Sequence, residues 1–235
     1  IFIFFFLTSS LLSFSQFEWF GSVDNDWYNG ANWNTGVAPS ITDDVTIQTG
    51  AQNYPLIVSP AVVQCRMLTI LSGTYIDITT GTLEAHGDVN SQGAIIIGSG
   101  NFISNVAFFG NGGAIDFTDN GKLIIKHENV SSFGDLDANM GTVVFNASGL
   151  PQSIEESEIF ANLKIDNAEG LQLNKSIEVN NALVFADGLI YSSNTHILRM
   201  NIISSIIGVS DASHVVGQME KVTNSSANFT FPIGD

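Results

Sequence analysis

The residues with the clearest metal-ligand chemistry lie in one short acidic segment. Asp135, Asp137 and Asn139 place side-chain oxygen atoms at alternate positions, as a calcium-binding loop does. The segment departs from the EF-hand pattern, because its Gly is seventh instead of sixth and its twelfth residue is Asn instead of Glu. Similar but shorter acidic segments lie at 24–26 and 116–121. We therefore treat structural calcium as a candidate and a solvated Asp-rich turn as the favoured interpretation.

A second candidate site is an aromatic segment near the N-terminus. Residues 17–40 contain all three tryptophans, Trp19, Trp27 and Trp33, among many Asn and Gly residues. Trp is a favoured anchor in binding sites, so the three side chains could form a platform for sugar rings. The alternative is an N-terminal cap over residues 16–40, because stacked β-coils must cover the apolar side chains and strand edges of their first coil. We favour the cap.

Groups suited to catalysis occur in the sequence without a recognised pattern. Cys65 lies in the apolar segment VVQCRMLTI, whereas a catalytic thiol needs a nearby base and an electropositive setting. The 23 acidic residues guarantee pairs by chance, so no pair by itself identifies an acid–base site. Zinc, phosphate-loop, dinucleotide and GxSxG motifs are missing from the sequence in their required contexts. The sequence predicts a buried thiol, no active site and no cofactor beyond the calcium candidate.

The charge balance limits the partners of the chain. Seven Lys and Arg stand against 23 Asp and Glu, which gives a formal net charge of −16. Nucleic acid and anionic membranes are bound by clustered Lys and Arg, so this balance excludes both. The 44% hydrophobic content excludes a disordered chain, which is typically poor in apolar residues. The remaining partners are an extracellular surface or a polysaccharide.

The elements that must position these residues are short β-strands. From residue 40 onward, apolar and polar residues alternate in brief runs separated by Gly, Asn, Asp and Ser. Only residues 153–160 resemble a helix, of two turns at most. The predicted buried pairs are Val45/Ile47, Leu68/Ile70, Ile76/Ile78, Leu83/Ala85, Ile95/Ile97, Leu163/Ile165, Leu171/Leu173, Ile177/Val179, Leu183/Phe185, Leu189/Tyr191 and Ile197/Met200.

The spacing of these strands indicates the fold class. Strand and turn together take about six to eight residues, whereas strands of a β-sandwich usually recur every 8–12 residues. Three such strands fit one coil of a parallel β-solenoid, in which inward apolar side chains stack along the axis. The sequence therefore predicts an all-β chain with a right-handed parallel β-helix over residues 41–235. An antiparallel β-sandwich pair divided near 147–160 is the alternative.

A long internal match supports a repetitive scaffold. Residues 68–97 align with residues 163–191 at an offset of about 95, so that Leu68 matches Leu163 and Ile76 matches Leu171. The matching positions are apolar residues and turn glycines, and no charged residue type repeats. We interpret the match as duplication of a scaffold.

The N-terminal segment, residues 1–15, predicts export. It carries no charge, and its apolar run is too short to cross a bilayer, which needs about 20 residues. The run has the length of a signal-peptide core, and Ser13-x-Ser15 supplies a small-residue cleavage pattern before Gln16. We expect residues 1–15 to be part of a cleaved signal peptide that engages the export machinery. We also expect no membrane span in the mature chain.

Several motifs, in the same order, resemble one family of exported proteins. Residues 19–47, WFGSVDNDWYNGANWNTGVAPSITDDVTI, are similar to the opening module of large secreted surface proteins of Bacteroidetes. CRMLTI (65–70), HVVGQMEKV (214–222) and FTFPIGD (229–235) follow the same pattern. Those proteins use the type IX secretion pathway and carry a C-terminal sorting domain, so the resemblance implies that this chain is a fragment.

The resemblance implies a function as well as a cellular location: a non-catalytic, adhesin-like structural module at the cell surface. The alternative function is a carbohydrate-binding or polysaccharide-degrading β-helix module.

Overall fold

Alternation of apolar and polar residues produces an all-β solenoid of about nine turns. The computed structural model describes residues 16–224, 226 and 228–234; the predicted signal peptide, residues 1–15, lies outside the described residues. Besides one 3-10 turn at Gly30–Asn32, the described chain forms these strands: β1 (Gln16–Trp19), β2 (Asp44–Ile47), β3 (Val62–Cys65), β4 (Leu68–Ile70), β5 (Tyr75–Ile78), β6 (Thr82–Ala85), β7 (Val89–Ser91), β8 (Ala94–Ile97), β9 (Asn101–Ser104), β10 (Phe108–Phe109), β11 (Ala114–Phe117), β12 (Lys122–Ile125), β13 (Asn129–Ser132), β14 (Asp135–Leu136), β15 (Thr142–Phe145), β16 (Gln152–Ile154), β17 (Glu158–Asp166), β18 (Leu171–Leu173), β19 (Ile177–Asp187), β20 (Ile190–Tyr191), β21 (Leu198–Met200), β22 (Ser205–Ile207), β23 (Val215–Val216), β24 (Met219–Lys221) and β25 (Ile233–Gly234).

The strands form three sheets that run along the stack. Sheet A has the order β1-β2-β4-β7-β10-β13-β16-β18-β20-β23-β25, and sheet B has the order β14-β11-β8-β5. Sheet C has the order β24-β21-β19-β17-β15-β12-β9-β6-β3, with β22 beside β19. Neighbouring strands pair in parallel, because the chain visits the sheets in turn and returns one layer further along. The predicted parallel β-helix is confirmed, and the antiparallel sandwich is wrong.

The parallel register defines the length of one coil. In sheet C, Thr82 pairs with Asn101, Asn101 with Lys122, and Lys122 with Thr142, so each partner lies one coil further along the chain. Side chains that hydrogen-bond between neighbouring layers are accordingly 19, 20 or 21 positions apart. Three strand–turn units of the length read from the sequence add up to such a coil. The spacing of short strands therefore predicts the coil length as well as the fold class.

Inward side chains stack into continuous columns. Burying each aliphatic or aromatic side chain contributes about 1.5–3 kcal/mol relative to leaving it in water, so the columns supply most of the drive to stack. One column of sheet A consists of residues that are each at most 1% exposed, namely Val45, Leu68, Val89, Phe108, Val130, Ile154 and Leu173.

The corner between sheets B and C changes in the second half of the solenoid. There the long strands β17 and β19 pair with each other through a register shift, so that each contributes two successive segments to sheet C. The side-chain amides of Asn180 and Asn181 donate to the carbonyls of Ala138 (2.9 Å) and Asn139 (3.3 Å). These bonds hold the 138–139 loop against β19 at the point where sheet B ends.

Two of the predicted buried pairs are wrong in part. The pair Leu189/Tyr191 has the wrong phase, because Ile190 is the buried residue of β20 and Tyr191 is 37% exposed. In the pair Ile197/Met200, Met200 is buried as predicted, but its inward neighbour on β21 is Leu198. Two consecutive apolar residues at each site, 189–190 and 197–198, hide the alternation that the neighbouring coils impose.

Residues 153–160, the segment of the sequence that most resembles a helix, form no helix. This segment is instead the end of β16 and the start of β17, and Ile154 pairs in parallel with Leu173. The clustered Glu residues of the segment resemble the first turn of a helix, but the parallel partners on both sides hold the backbone extended.

The internal match does not join equivalent positions of the solenoid. Leu68 lies on β4 of sheet A, whereas Leu163 lies on β17 of sheet C. Ile76 on sheet B is likewise matched with Leu171 on sheet A. The offset of the match is not a whole number of coils. The match therefore reflects the strand pattern that all coils share.

Candidate functional site

The three tryptophans form a buried cluster over the first coil. Trp19, Trp27 and Trp33 are 0%, 1% and 4% exposed. The ring centroid of Trp33 lies 5.0 Å from that of Trp19 and 4.8 Å from that of Trp27, both in edge-to-face geometry. Trp19 belongs to β1, the terminal strand of sheet A, where it pairs with Ile47. The cluster thus covers the end of the stacked core.

This burial contradicts the sugar platform, which is the alternative to the cap. Stacking on a sugar ring requires an exposed indole face, and none of the three side chains has one. Two indole N–H groups are instead used internally: Trp19 Nε1 donates to the Asn53 carbonyl and Trp33 Nε1 to the Trp27 carbonyl, both at 2.7 Å. Trp27 Nε1 is buried without a hydrogen-bond partner in the described part of the chain. Packing explains why these residues occur together.

Polar side chains of the same segment hold the cap in shape. Asn32 is completely buried; its side-chain oxygen accepts from the backbone N–H of Val23 (3.0 Å), and its amide donates to the Asp24 carboxylate (2.6 Å). Asn29 donates to the other oxygen of Asp24 at 2.8 Å. The bonds from Asn32 and Asn29 lower the pKa of Asp24. The acidic segment at 24–26 therefore serves the cap.

Asp135, Asp137 and Asn139 form a turn in the structure. The Asp137 carboxylate accepts from both the backbone N–H and the side-chain amide of Asn139, each at 2.8 Å. This arrangement is an Asx-type turn, which the fold needs after β14. Within residues 16–224, 226 and 228–234, no group of three or more His, Cys, Asp or Glu is placed to hold a metal ion. The hydrogen bonds of Asp137 therefore place the segment in a turn, and calcium at this turn stays a prediction.

The same turn faces a carboxylate of the neighbouring coil. Asp116 lies on β11, whose pairing with β14 brings it close to Asp135 and Asp137. Burial raises the pKa of Asp116, and the negative charges of Asp135 and Asp137 raise it further. The three side chains therefore repel one another.

Cys65 is a structural residue. Its side chain is completely buried on β3, and burial raises the pKa of the thiol, with a smaller contribution from the charge of Asp44. A raised pKa suppresses the nucleophilic thiolate. The predicted burial is confirmed.

A groove that the sequence analysis did not identify crosses the starts of β17, β19 and β21. Its volume is about 550 Å³, within the range of ligand sites. The parallel register places Ile159 beside Glu178 and Glu178 beside Arg199. Its lining residues are Ser157, Glu158, Ile159, Ser176, Ile177, Glu178, Ile197 and Arg199.

Comparison with known sequences assigns the chain to one family. Residues 18–140, just over half of the chain, match a domain of unknown function, DUF8693. The chain belongs to this family. No curated protein and no solved structure gives a significant match. The matched part of the DUF8693 chain includes the tryptophan cluster and ends before the groove.

A separate finding concerns the membrane. In the part of this DUF8693 chain that the structure describes, no helix is long and apolar enough to cross a bilayer.

The charges of the groove in this DUF8693 chain are unevenly compensated. Arg199 binds Glu220 through Nη2 at 2.9 Å and Nε at 3.0 Å. Neither Glu158 nor Glu178 forms an ion pair with another described residue. Burial raises the pKa of Glu158 to about 7, and the charges of Glu156 and Asp135 add to this effect. Glu158 is therefore a weaker acid than a solvent-exposed glutamate.

Proposed function

We propose that this chain is a non-catalytic structural module that spaces or presents other parts of an exported, adhesin-like surface protein. The observation that carries the proposal is the uninterrupted stack of eleven parallel strands in sheet A. With strands about 4.8 Å apart, ten spacings give a rod roughly 48 Å long. Each coil is fixed by hydrogen-bonded ladders to its neighbours, which makes such a stack stiff.

The role of the conspicuous residues supports a structural module. The tryptophans and Asn32 close one end, and the Asp135–Asn139 segment turns the chain from sheet B toward sheet C. The net charge of −16 keeps the exterior solvated and discourages the outward strands from associating laterally. The carbohydrate-binding or polysaccharide-degrading alternative receives no support from the tryptophans, since they are buried.

The proposed location is the extracellular cell surface, which the protein reaches by the type IX secretion pathway. The support for this part is the uncharged apolar run of residues 1–15 and the resemblance of residues 19–47 to modules of type IX cargo. The proposal includes removal of residues 1–15, so that the mature chain begins at Gln16.

Protease treatment of intact cells tests the proposed surface location. A tagged copy of the gene is expressed in the source organism, the cells are treated with protease, and the tagged protein is recovered for N-terminal sequencing. We expect a mature N-terminus at Gln16 and cleavage by external protease. A protein that retains residues 1–15 and is degraded only after lysis would contradict the proposal.

A further inference from the structure

We propose that Asn111 is a site of spontaneous deamidation, at which the exposed turn between β10 and β11 converts to isoaspartate or aspartate. This inference is independent of the spacer role, because it concerns the chemistry of one turn. Asparagine followed by glycine is the pair most prone to this reaction, since glycine leaves the attacking backbone nitrogen unhindered. The sequence contains three such pairs, which begin at Asn29, Asn111 and Asn120. The structure distinguishes among them.

The reaction joins the backbone to the side chain. The amide nitrogen of Gly112, after loss of its proton to hydroxide, attacks the side-chain carbonyl carbon of Asn111. The new C–N bond closes a five-membered succinimide ring, the bond from this carbon to Nδ2 breaks, and the nitrogen takes a proton from water and leaves as ammonia. Water then opens the ring at either carbonyl. Each conversion adds one negative charge, and isoaspartate also lengthens the main chain by one methylene group.

The turn at Asn111 leaves both reacting groups accessible. Asn111 and Gly112 are exposed, and the Asn111 side chain forms no hydrogen bond with another described residue. Gly112 has a φ of 86°, and no atom lies within 4 Å of the position that a side chain would occupy there. The Gly112 N–H donates to the Gly110 carbonyl, but this bond lies within the turn and opens without breaking a ladder between coils. The succinimide can therefore form in the folded protein.

The cap holds the carboxamide of Asn29 on both sides. Its Oδ1 accepts from the backbone N–H of Ala31 at 3.1 Å, and its Nδ2 donates to the Asp24 carboxylate at 2.8 Å. Gly30, which would supply the nitrogen, is closely packed, because a Cβ there would lie 2.2 Å from the Gly36 carbonyl oxygen. Ring closure at Asn29 must break both hydrogen bonds and move the cap, so the folded protein slows it.

Asn120 is exposed but is more restrained than Asn111. Its Nδ2 donates to the Asp119 carboxylate at 3.1 Å, and the same oxygen accepts from the Asn120 backbone N–H at 2.8 Å. Gly121 is buried between coils, where a Cβ would lie 2.3 Å from the Gly98 carbonyl oxygen. A ring on the Gly121 nitrogen needs room that the neighbouring coil occupies. Asn120 therefore reacts more slowly than Asn111.

Peptide mapping by mass spectrometry tests the proposal on the full chain after incubation at pH 8 and 37 °C. Chymotryptic cleavage after Phe109 and Phe117 separates Asn111 from Asn120. Oxygen-18 water in the incubation marks the carboxylates that form before digestion. We expect Asn111 to react at least about tenfold faster than Asn29 and at least about threefold faster than Asn120, because the hydrogen bonds that must open add to the barrier.

A substitution and an unfolded sample are the controls. Asn111→Gln removes the reaction at this turn, since glutamine must close a less favourable six-membered ring, and leaves the rates at Asn120 and Asn29 unchanged. In concentrated guanidinium chloride the fold no longer separates the sites, so all three asparagines should react at similar rates. Far-UV circular dichroism before and after the incubation excludes unfolding of the native sample.

Two outcomes would overturn the proposal. The first is an Asn111 peptide that keeps its mass after four weeks, whether or not Asn120 or Asn29 converts. The second is the same ratio of rates in the folded and the unfolded chain, which means that the geometry of the turn selects nothing.

Discussion

Substitution of the three cap tryptophans can separate the contribution of hydrogen bonds to stability from the contribution of packing. Trp19, Trp27 and Trp33 are all buried, and a change to Phe removes a similar volume from each. Trp19 and Trp33 donate to backbone carbonyls at 2.7 Å, whereas the Trp27 donor has no partner within the described chain. The three substitutions should therefore differ in cost although the side chains are the same.

The expected costs follow from this difference. Each substitution loses packing worth about 1–2 kcal/mol. Trp33→Phe also leaves the Trp27 carbonyl without its indole donor, which adds about 1–3 kcal/mol, and Trp19→Phe does the same to the Asn53 carbonyl. Trp27→Phe removes an unsatisfied buried donor, so a gain of about 1–2 kcal/mol offsets the packing loss.

Urea unfolding followed by far-UV circular dichroism measures these free energies. We expect Trp27→Phe to lie within about 1 kcal/mol of the parent and the other two variants to lose about 2–5 kcal/mol. If Trp27→Phe costs as much as Trp33→Phe, the hydrogen-bond argument is wrong and the cap is held by packing alone.

Three further predictions concern other parts of the solenoid. The pKa of Glu158 is about 7 in the folded state and about 4.5 in the unfolded state, so the folded state binds more protons between these pH values and stability falls as the pH rises through them. Thermal melts at pH 5 and pH 8 measure this loss. Glu158→Gln should reduce the loss by about 1 kcal/mol, after allowance for solvent screening. Lys221 donates to the carbonyls of Asn201 and Ser204, so Lys221→Met lowers the free energy of unfolding by about 1–2 kcal/mol, while Lys122→Met, at an exposed position, has no measurable effect. Since Asp137 is engaged in a turn, calcium at about 1 mM leaves the melting temperature unchanged, and an increase of several degrees would restore the calcium candidate.

The coil pattern could be predicted because one face of each strand is buried. Pairs such as Leu68/Ile70 occupy the inward positions that the alternation indicates. The prediction of which residues face inward was wrong at Leu189/Tyr191, because Leu189 and Ile190 are both apolar and the alternation there is ambiguous. The sheet of each strand could not be read, because strands of all three sheets share one pattern. Leu68 and Leu163 therefore matched although they lie on different sheets.

The buried tryptophan cluster could be predicted from the sequence. The first coil of a solenoid must be covered, and three large apolar side chains precede it. The groove could not be predicted from the sequence, because Glu158, Glu178 and Arg199 are distant in sequence and belong to no motif. A usable signal was nevertheless present. Glu178 and Arg199 are separated by the length of one coil and pair in register, whereas Glu158 pairs with Ile177. Applying the coil length to charged residues would have brought Glu178 and Arg199 together.

The stacked rod itself is tested most directly by a distance measured along its axis. Spin labels are attached at Val23→Cys in the cap and Ile203→Cys near the other end, where the native side chains are 61% and 76% exposed; the native Cys65 is buried and does not compete for the label. About eight strand spacings separate the two sites, so we expect one narrow distance distribution centred at roughly 40 Å. A broad distribution, or a distance below about 25 Å, would contradict the stiff solenoid on which the proposed spacer role depends.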